Sequence, residues 1–174
     1  MIGDIQPAEE GGNAGARSMI KDGLFEKFHM DSVWGMHNWP GLEVGRAVAH
    51  CGAAMAGADI FVLTIDGKGG HAARPQHTTD PLAASAALVT SLYALVPRRA
   101  DSLYPTVFTM GSIHGGTASN VIPDVVEITG TLRSTDRKNR QATIDAIQRM
   151  CDGMAVATGN VIEVAFRSPL GSVV

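Results

Sequence analysis

Apolar residues along the first third of the chain recur at helical spacing. Ala16, Met19, Ile20 and Leu24 define one face of a predicted helix over 13–28, with Asn13 placed to cap its start and Gly23 near its end. Two short apolar runs follow, at 33–36 and 44–49, and each predicts a brief strand, the first broken by Trp39, Pro40 and Gly41. The small-residue stretch CGAAMAGA at 51–58 has no period and suits a hinge. Beyond it the pattern becomes regular. DIFVLTID predicts a strand, and Asp80-Pro81 opens a helix running to about Val96, with Asp as N-cap and Pro at the first helical position. TVFTMGSIH predicts a second strand. A third covers 124–134, where Val126, Ile128 and Leu132 alternate with Glu127, Thr129, Thr131 and Arg133. Ile144, Ile147, Cys151 and Met154 then repeat at helical spacing as far as Gly159, and VIEVAFR closes as a fourth strand.

The order from Asp59 to Arg167 is βαββαβ, the ferredoxin-like arrangement of a four-stranded antiparallel sheet with two helices on one face. Residues 1–50 differ, because one helix and two or three short strands cannot enclose a core. The expected fold is therefore α+β: a fragment of an α/β body over 1–52, a complete small domain over 53–168, and a return toward the first body over 169–174. On this expectation further parts of that body lie before Met1, after Val174, or both.

Composition narrows the function classes. With 174 residues, 45% hydrophobic and 18% charged, the chain falls among globular proteins. A net charge of −3 with scattered Lys and Arg offers no stripe for nucleic acid and no basic patch for a membrane, which leaves small molecules and proteins as expected partners. The two cysteines, Cys51 and Cys151, form no CxxC pair and fit a reducing cytoplasm. No apolar run approaches the roughly 20 residues of a membrane span.

Five places carry candidate chemistry. In QPAEEGG, adjacent Glu9 and Glu10 point to opposite sides of an extended backbone, so one can hold a metal while the other takes a proton; a solvated acidic turn ahead of a helix is the alternative. His37 stands at a strand end, where an imidazole serves either as a metal ligand or as a plain hydrogen-bonding group. GKGGHAARP is no phosphate loop, since no Lys-Ser/Thr follows; it either presents His71 to a ligand or forms an ordinary hairpin turn. Asn120, in GGTASNVIPD, either binds a polar group or caps its turn. Arg133 on the polar strand face either grips a carboxylate or pairs with Glu127 or Glu163.

QPAEEGG, GARSMIKDGLF, WGMHNWPGL, GKGGHAARP, NVIPD and GTLRSTD stand here in the order found in the zinc-peptidase-like amidohydrolases, which include aminoacylase, hippurate hydrolase and the indole-acetyl-amino-acid hydrolases. The chain resembles that family over essentially its whole length. The resemblance implies that Glu9 is the general base, Glu10 a ligand of one metal and His37 a ligand of a second. It implies that His71 stabilises the oxyanion in a neighbouring subunit's active site, while Asn120 and Arg133 hold the substrate, Arg133 through its carboxylate. It further implies a lid domain that is also the homodimerisation domain, a divalent metal (Zn or Mn, alternatively Co), and an N-acyl amino acid or related amide as substrate. The family's upstream Cys-Gly-His-Asp type motif and a later histidine are not in this sequence, and Cys51, lying after His37, cannot replace them. Two ligands are too few for a zinc centre. The expectation is weak or absent metal binding and little hydrolysis by this chain alone, the alternative being a non-catalytic dimerisation or binding module. Val33, Trp34 and Met36 are then expected to lack their usual neighbours, leaving that segment disordered, swapped or packed against another copy.

Overall fold

A computed structural model describes residues 15–49 and 51–170 of the chain. The chain divides into two compact units, residues 1–50 and 51–174.

In the first unit, helix α1 (Gly15–Lys21) and the single turn α2 (Leu24–Lys27) are separated at Gly23, whose φ of 85° no other residue adopts without strain. One continuous helix over 13–28 is thus corrected to two short pieces, and residues 13 and 14 lie outside the described residues. The two strands expected at 33–36 and 44–49 do not form. A strand needs a neighbour for its amides and carbonyls, and no strand is present in the described part of this unit. Trp34 and Met36 are accordingly 89% and 100% exposed, and the Trp34 indole N–H donates to Ser32 Oγ at 2.8 Å.

The second unit is the βαββαβ domain. Strand β1 (Gly57–Asp66) is followed by a two-residue strand β2 (Gly70–His71), helix α3 (Pro81–Arg99), strand β3 (Thr106–Gly115), a two-residue strand β4 (Val121–Ile122), strand β5 (Val125–Ser134), helix α4 (Arg137–Thr158) and strand β6 (Val161–Leu170). The main sheet is antiparallel with order β3-β5-β1-β6, and β2 pairs with β4 in a separate small ladder. β1 and β5 run side by side from Gly57↔Ser134 to Asp66↔Val125 without interruption. Alternation then decides the faces: Phe61, Leu63 and Ile65 of β1 and Val126 and Ile128 of β5 are fully buried in one cluster with Leu88, Leu92, Ile147 and Cys151 of the two helices, and Leu132 of β5 is fully buried as well. Phe61 stacks on Phe108 with ring centres 5.0 Å apart. Asp80 caps α3 through the Ala83 amide at 3.0 Å, and the helix continues past Val96 to Arg99. Pro97 is tolerated because it stands in the last turn, where it removes a single hydrogen bond. No helix among the described residues is long and apolar enough to cross a membrane.

One residue on the core face is charged. Asp59 is fully buried and receives Arg140 in a forked contact, Nε to Oδ2 at 2.5 Å and Nη2 to Oδ1 at 2.6 Å. The bond to Asp59 raises the Arg140 pKa against the opposing pull of burial, so the guanidinium keeps its charge. It ties the start of β1 to the first turn of α4. Replacing Asp59 by Ala leaves the guanidinium without its acceptor, and the loss expected is about 3 kcal/mol of unfolding free energy, read as a lowered urea midpoint.

Burial pushes the Cys151 thiol up to about 12, with Asp152 adding to the effect. Because the unfolded thiol deprotonates near its ordinary value, this group stabilises the fold fully below that value, and the contribution is lost as pH rises toward about 12. The expected outcome at pH 8 is that iodoacetamide leaves Cys151 unmodified until urea unfolds the chain, as peptide mass mapping will show.

Candidate functional site

Four of the six predicted site residues lie among the described ones. Glu9 and Glu10 lie outside them. His37, in the first unit, is exposed, its Nδ1 sits 2.6 Å from the Asn38 carbonyl oxygen, and its ring meets Trp39 edge-on at 6.3 Å. A carbonyl only accepts, so Nδ1 carries the proton and the lone pair of Nε2 faces outward. That is the form in which an imidazole binds a metal, with the second nitrogen held by a backbone carbonyl. The donor chemistry of His37 therefore fits a divalent cation, although the described residues contain no cluster of three or more His, Cys, Asp or Glu.

His71 shows the opposite arrangement. It ends β2, and the Ala73 amide donates to its Nδ1 at 3.1 Å. With Nδ1 occupied as an acceptor, the proton stands on Nε2 and is offered as a donor. The turn is closed by the Arg74 amide on the His71 carbonyl at 2.8 Å, and His71, Ala73 and Arg74 line a shallow concavity of about 430 Å³. An exposed imidazole N–H on a braced turn is suited to a negatively charged oxygen.

The β2–β4 ladder brings Asn120 to the same place. His71 lies opposite Val121, and the Ala72 amide donates to the Asn120 carbonyl at 3.0 Å. Two loops that the sequence treats separately, GKGGHAARP and GGTASNVIPD, are thereby one platform. Gly69 explains how closely they meet: a Cβ there would collide with the Ile122 carbonyl oxygen. Gly69→Ala is expected to part β2 from β4 without unfolding the main sheet, seen as loss of hydrogen-exchange protection at the Ala72 amide while the β1 and β5 amides stay protected.

Arg133 is elsewhere. It stands near the end of β5, opposite Ala58 and Val107, on the sheet face away from the helices, and it is exposed. The expected alternative, an ion pair with Glu127 or Glu163, is not formed: the ion pairs among the described residues are His29–Asp31, Arg46–Glu43 and Arg140–Asp59. Arg133 stands eight residue steps along β5 from Val125, where the strand adjoins the His71 platform, about 27 Å at ~3.4 Å per step. Within one chain the structure brings His71 and Asn120 together and holds Arg133 apart.

Residues 54–158 match the peptidase dimerisation domain. The chain belongs to the family that carries it. Hippurate hydrolase from Campylobacter jejuni is 39% identical over 160 residues, 92% of this chain and 41% of that protein. N-acetylcysteine deacetylase from Bacillus subtilis is 38% identical over 169 residues, 97% of this chain and 44% of that one. Among solved structures of the family, a putative aminohydrolase from methicillin-resistant Staphylococcus aureus superimposes with a TM-score of 0.89 at 31% identity, over 97% of this chain and 44% of that one. A dinuclear metal-binding peptidase of the M20 family from Bacillus subtilis follows at 0.76 and 32% identity, over 97% of this chain and 41% of its own. The chain thus spans about two fifths of the length of these family members. Family membership accounts for the antiparallel α+β domain.

Proposed function

We propose that the protein acts in hydrolysis of the amide bond of N-acyl amino acids or related amides, with Glu9, Glu10 and His37 at the metal site and His71, Asn120 and Arg133 on the lid. The observation that carries this reading is the His71 imidazole, braced at Nδ1 and presenting Nε2–H at the tip of the domain. A bound divalent metal, Zn or Mn or alternatively Co, would supply Lewis-acid polarisation. Glu10 and the Nε2 lone pair of His37 would hold it. Glu9 takes the proton of the attacking water and returns it to the leaving nitrogen. His71 donates to the carbonyl oxygen as charge develops there, Asn120 orients the acyl group, and Arg133 binds the amino-acid carboxylate in a forked contact.

The separation of Arg133 from the His71 platform favours a homodimer for this work, in which the two ends of one lid serve two different active sites and each site draws on both subunits. The cytoplasm is the compartment that suits a chain with a buried thiol at Cys151. A second reading is a dimerisation or binding module without chemistry of its own, favoured by the fact that the matched domain, not the first unit, holds the packed core.

The test combines light scattering with hydrolysis of N-acetyl amino acids by the purified chain in excess zinc or manganese, beside a Glu9→Ala control. The expected result is a dimer with little or no turnover by this chain alone, and turnover when further ligand-bearing segments of a family member are fused to it. Turnover by the unfused chain that disappears with Glu9→Ala would overturn the expectation of inactivity. A fused dimer with no turnover would leave the module reading.

A further inference from the structure

The pairing of β1 with β5 does not stop at Asp66. The Gly67 amide continues it by donating to the Asp124 carbonyl at 2.8 Å, and it resumes at Gly70↔Ile122 and His71↔Val121. Between these points Lys68 and Gly69 stand opposite Pro123 alone, two residues against one, which is the signature of a β-bulge. Pro123 has no N–H to give, so the bulge cannot be closed by the ladder itself.

Side chains close it. Asp124 Oδ1 accepts from the Gly69 amide at 2.8 Å. Thr79 takes Lys68 from both sides: Oγ1 accepts from the Lys68 amide at 2.7 Å and the Thr79 amide donates to the Lys68 carbonyl at 3.1 Å. Asn160, 5% exposed, crosses from the α4–β6 junction and donates Nδ2 to the Thr79 carbonyl at 2.7 Å. Its Oδ1 is buried against Gly67 with no hydrogen-bond partner among the described residues. An unsatisfied buried oxygen is a cost, and the fold bears it with the amide held on Thr79.

A shift of one residue in a strand turns every following side chain to the other face. We propose that Asp124, Thr79 and Asn160 form a lock on this bulge, and that the lock decides which way His71 points and which of its nitrogens carries the proton. These three are positioning residues. Asp124 and Thr79 act through the backbone of Gly69 and Lys68, Asn160 acts through Thr79, and the imidazole's hydrogen bond is to Ala73 instead. The importance of the lock for catalysis rests on His71 as the oxyanion donor, but the lock itself is visible in the imidazole whether or not the chain belongs to a working hydrolase.

The experiment is long-range 1H–15N correlation of the His71 ring in the whole chain, with amide hydrogen exchange, for the wild type, Asp124→Ala and Asp124→Asn. Wild type is expected to show the Nε2–H form and slow exchange at Gly69, Ala72 and Ala73. Asp124→Ala should give a mixture of both neutral ring forms and at least tenfold faster exchange at all three amides, with the β1 and β5 amides unchanged. Asp124→Asn, which keeps the acceptor oxygen, should restore both signals, an outcome that a charge effect would not give. The proposal is overturned if Asp124→Ala frees only the Gly69 amide while the His71 ring and the Ala72 and Ala73 amides remain as in the wild type. Should that variant not fold, Thr79→Val removes the acceptor for Lys68 at nearly constant volume, and the same two outcomes decide.

Discussion

Ten consecutive residue pairs between β1 and β5 leave neither strand free to slip. Moving either by one position would carry Phe61, Leu63 and Ile65, or Val126, Ile128 and Leu132, all fully buried, from the core to solvent. The hydrophobic effect therefore fixes the register, and the register fixes everything attached to its ends. At one end β1 begins and Arg133 projects. At the other, β1 and β5 lead into β2 and β4, and so into His71 and Asn120. The strand pair thus acts as a spacer that keeps Arg133 at one end of the domain and His71 and Asn120 at the other.

The two ends are held by different forces. Near the Arg133 end, a buried forked ion pair joins Asp59 to Arg140 and so joins the first strand to the last helix. Such a pair gains little net stability over an apolar contact of the same shape, since both charges lose their water. What it adds is geometry: a planar guanidinium accepts a carboxylate in few orientations, which sets where α4 starts. The His71 end contains no ion pair among the described residues. It relies on side chains that satisfy backbone groups left over by a bulge, and the bonds to Lys68 and Gly69 are exposed. One end is thus held by a buried ion pair and the other by a few polar contacts to the backbone.

The alternating pattern of the strands and the 3.6-residue period of the helices carry the βαββαβ order, because burial on one face is written directly into those periods. The ladder between β2 and β4 is invisible to the same logic. Gly70, His71, Val121 and Ile122 are too few to show a period, and their pairing joins segments fifty residues apart in the sequence. Asp59 misleads in another way, since a strand-end aspartate looks solvated until the distant Arg140 is seen to meet it. Around Val33 and Val44 the composition favours strands, yet strand propensity is a preference for a pleated neighbour, and the described part of that unit provides none. His71 and Asn120 were legible as candidates through their motifs. Their meeting, and the distance of Arg133 from both, required the fold.

His37 and His71 show why residue type alone does not state a role. Both are exposed imidazoles beside short irregular segments, and both use Nδ1 toward a neighbouring peptide group. The difference is which half of that peptide they meet. Against the Asn38 carbonyl, Nδ1 must donate, and Nε2 is left with a lone pair that a cation can share. Against the Ala73 amide, Nδ1 must accept, and Nε2 keeps a proton that an anionic oxygen can share. Exchanging the two surroundings would exchange the two abilities with no change of side chain. The backbone turn that follows each histidine is accordingly as much a part of its chemistry as the ring, which is why the bonds that fix the His71 turn bear on what that ring can do.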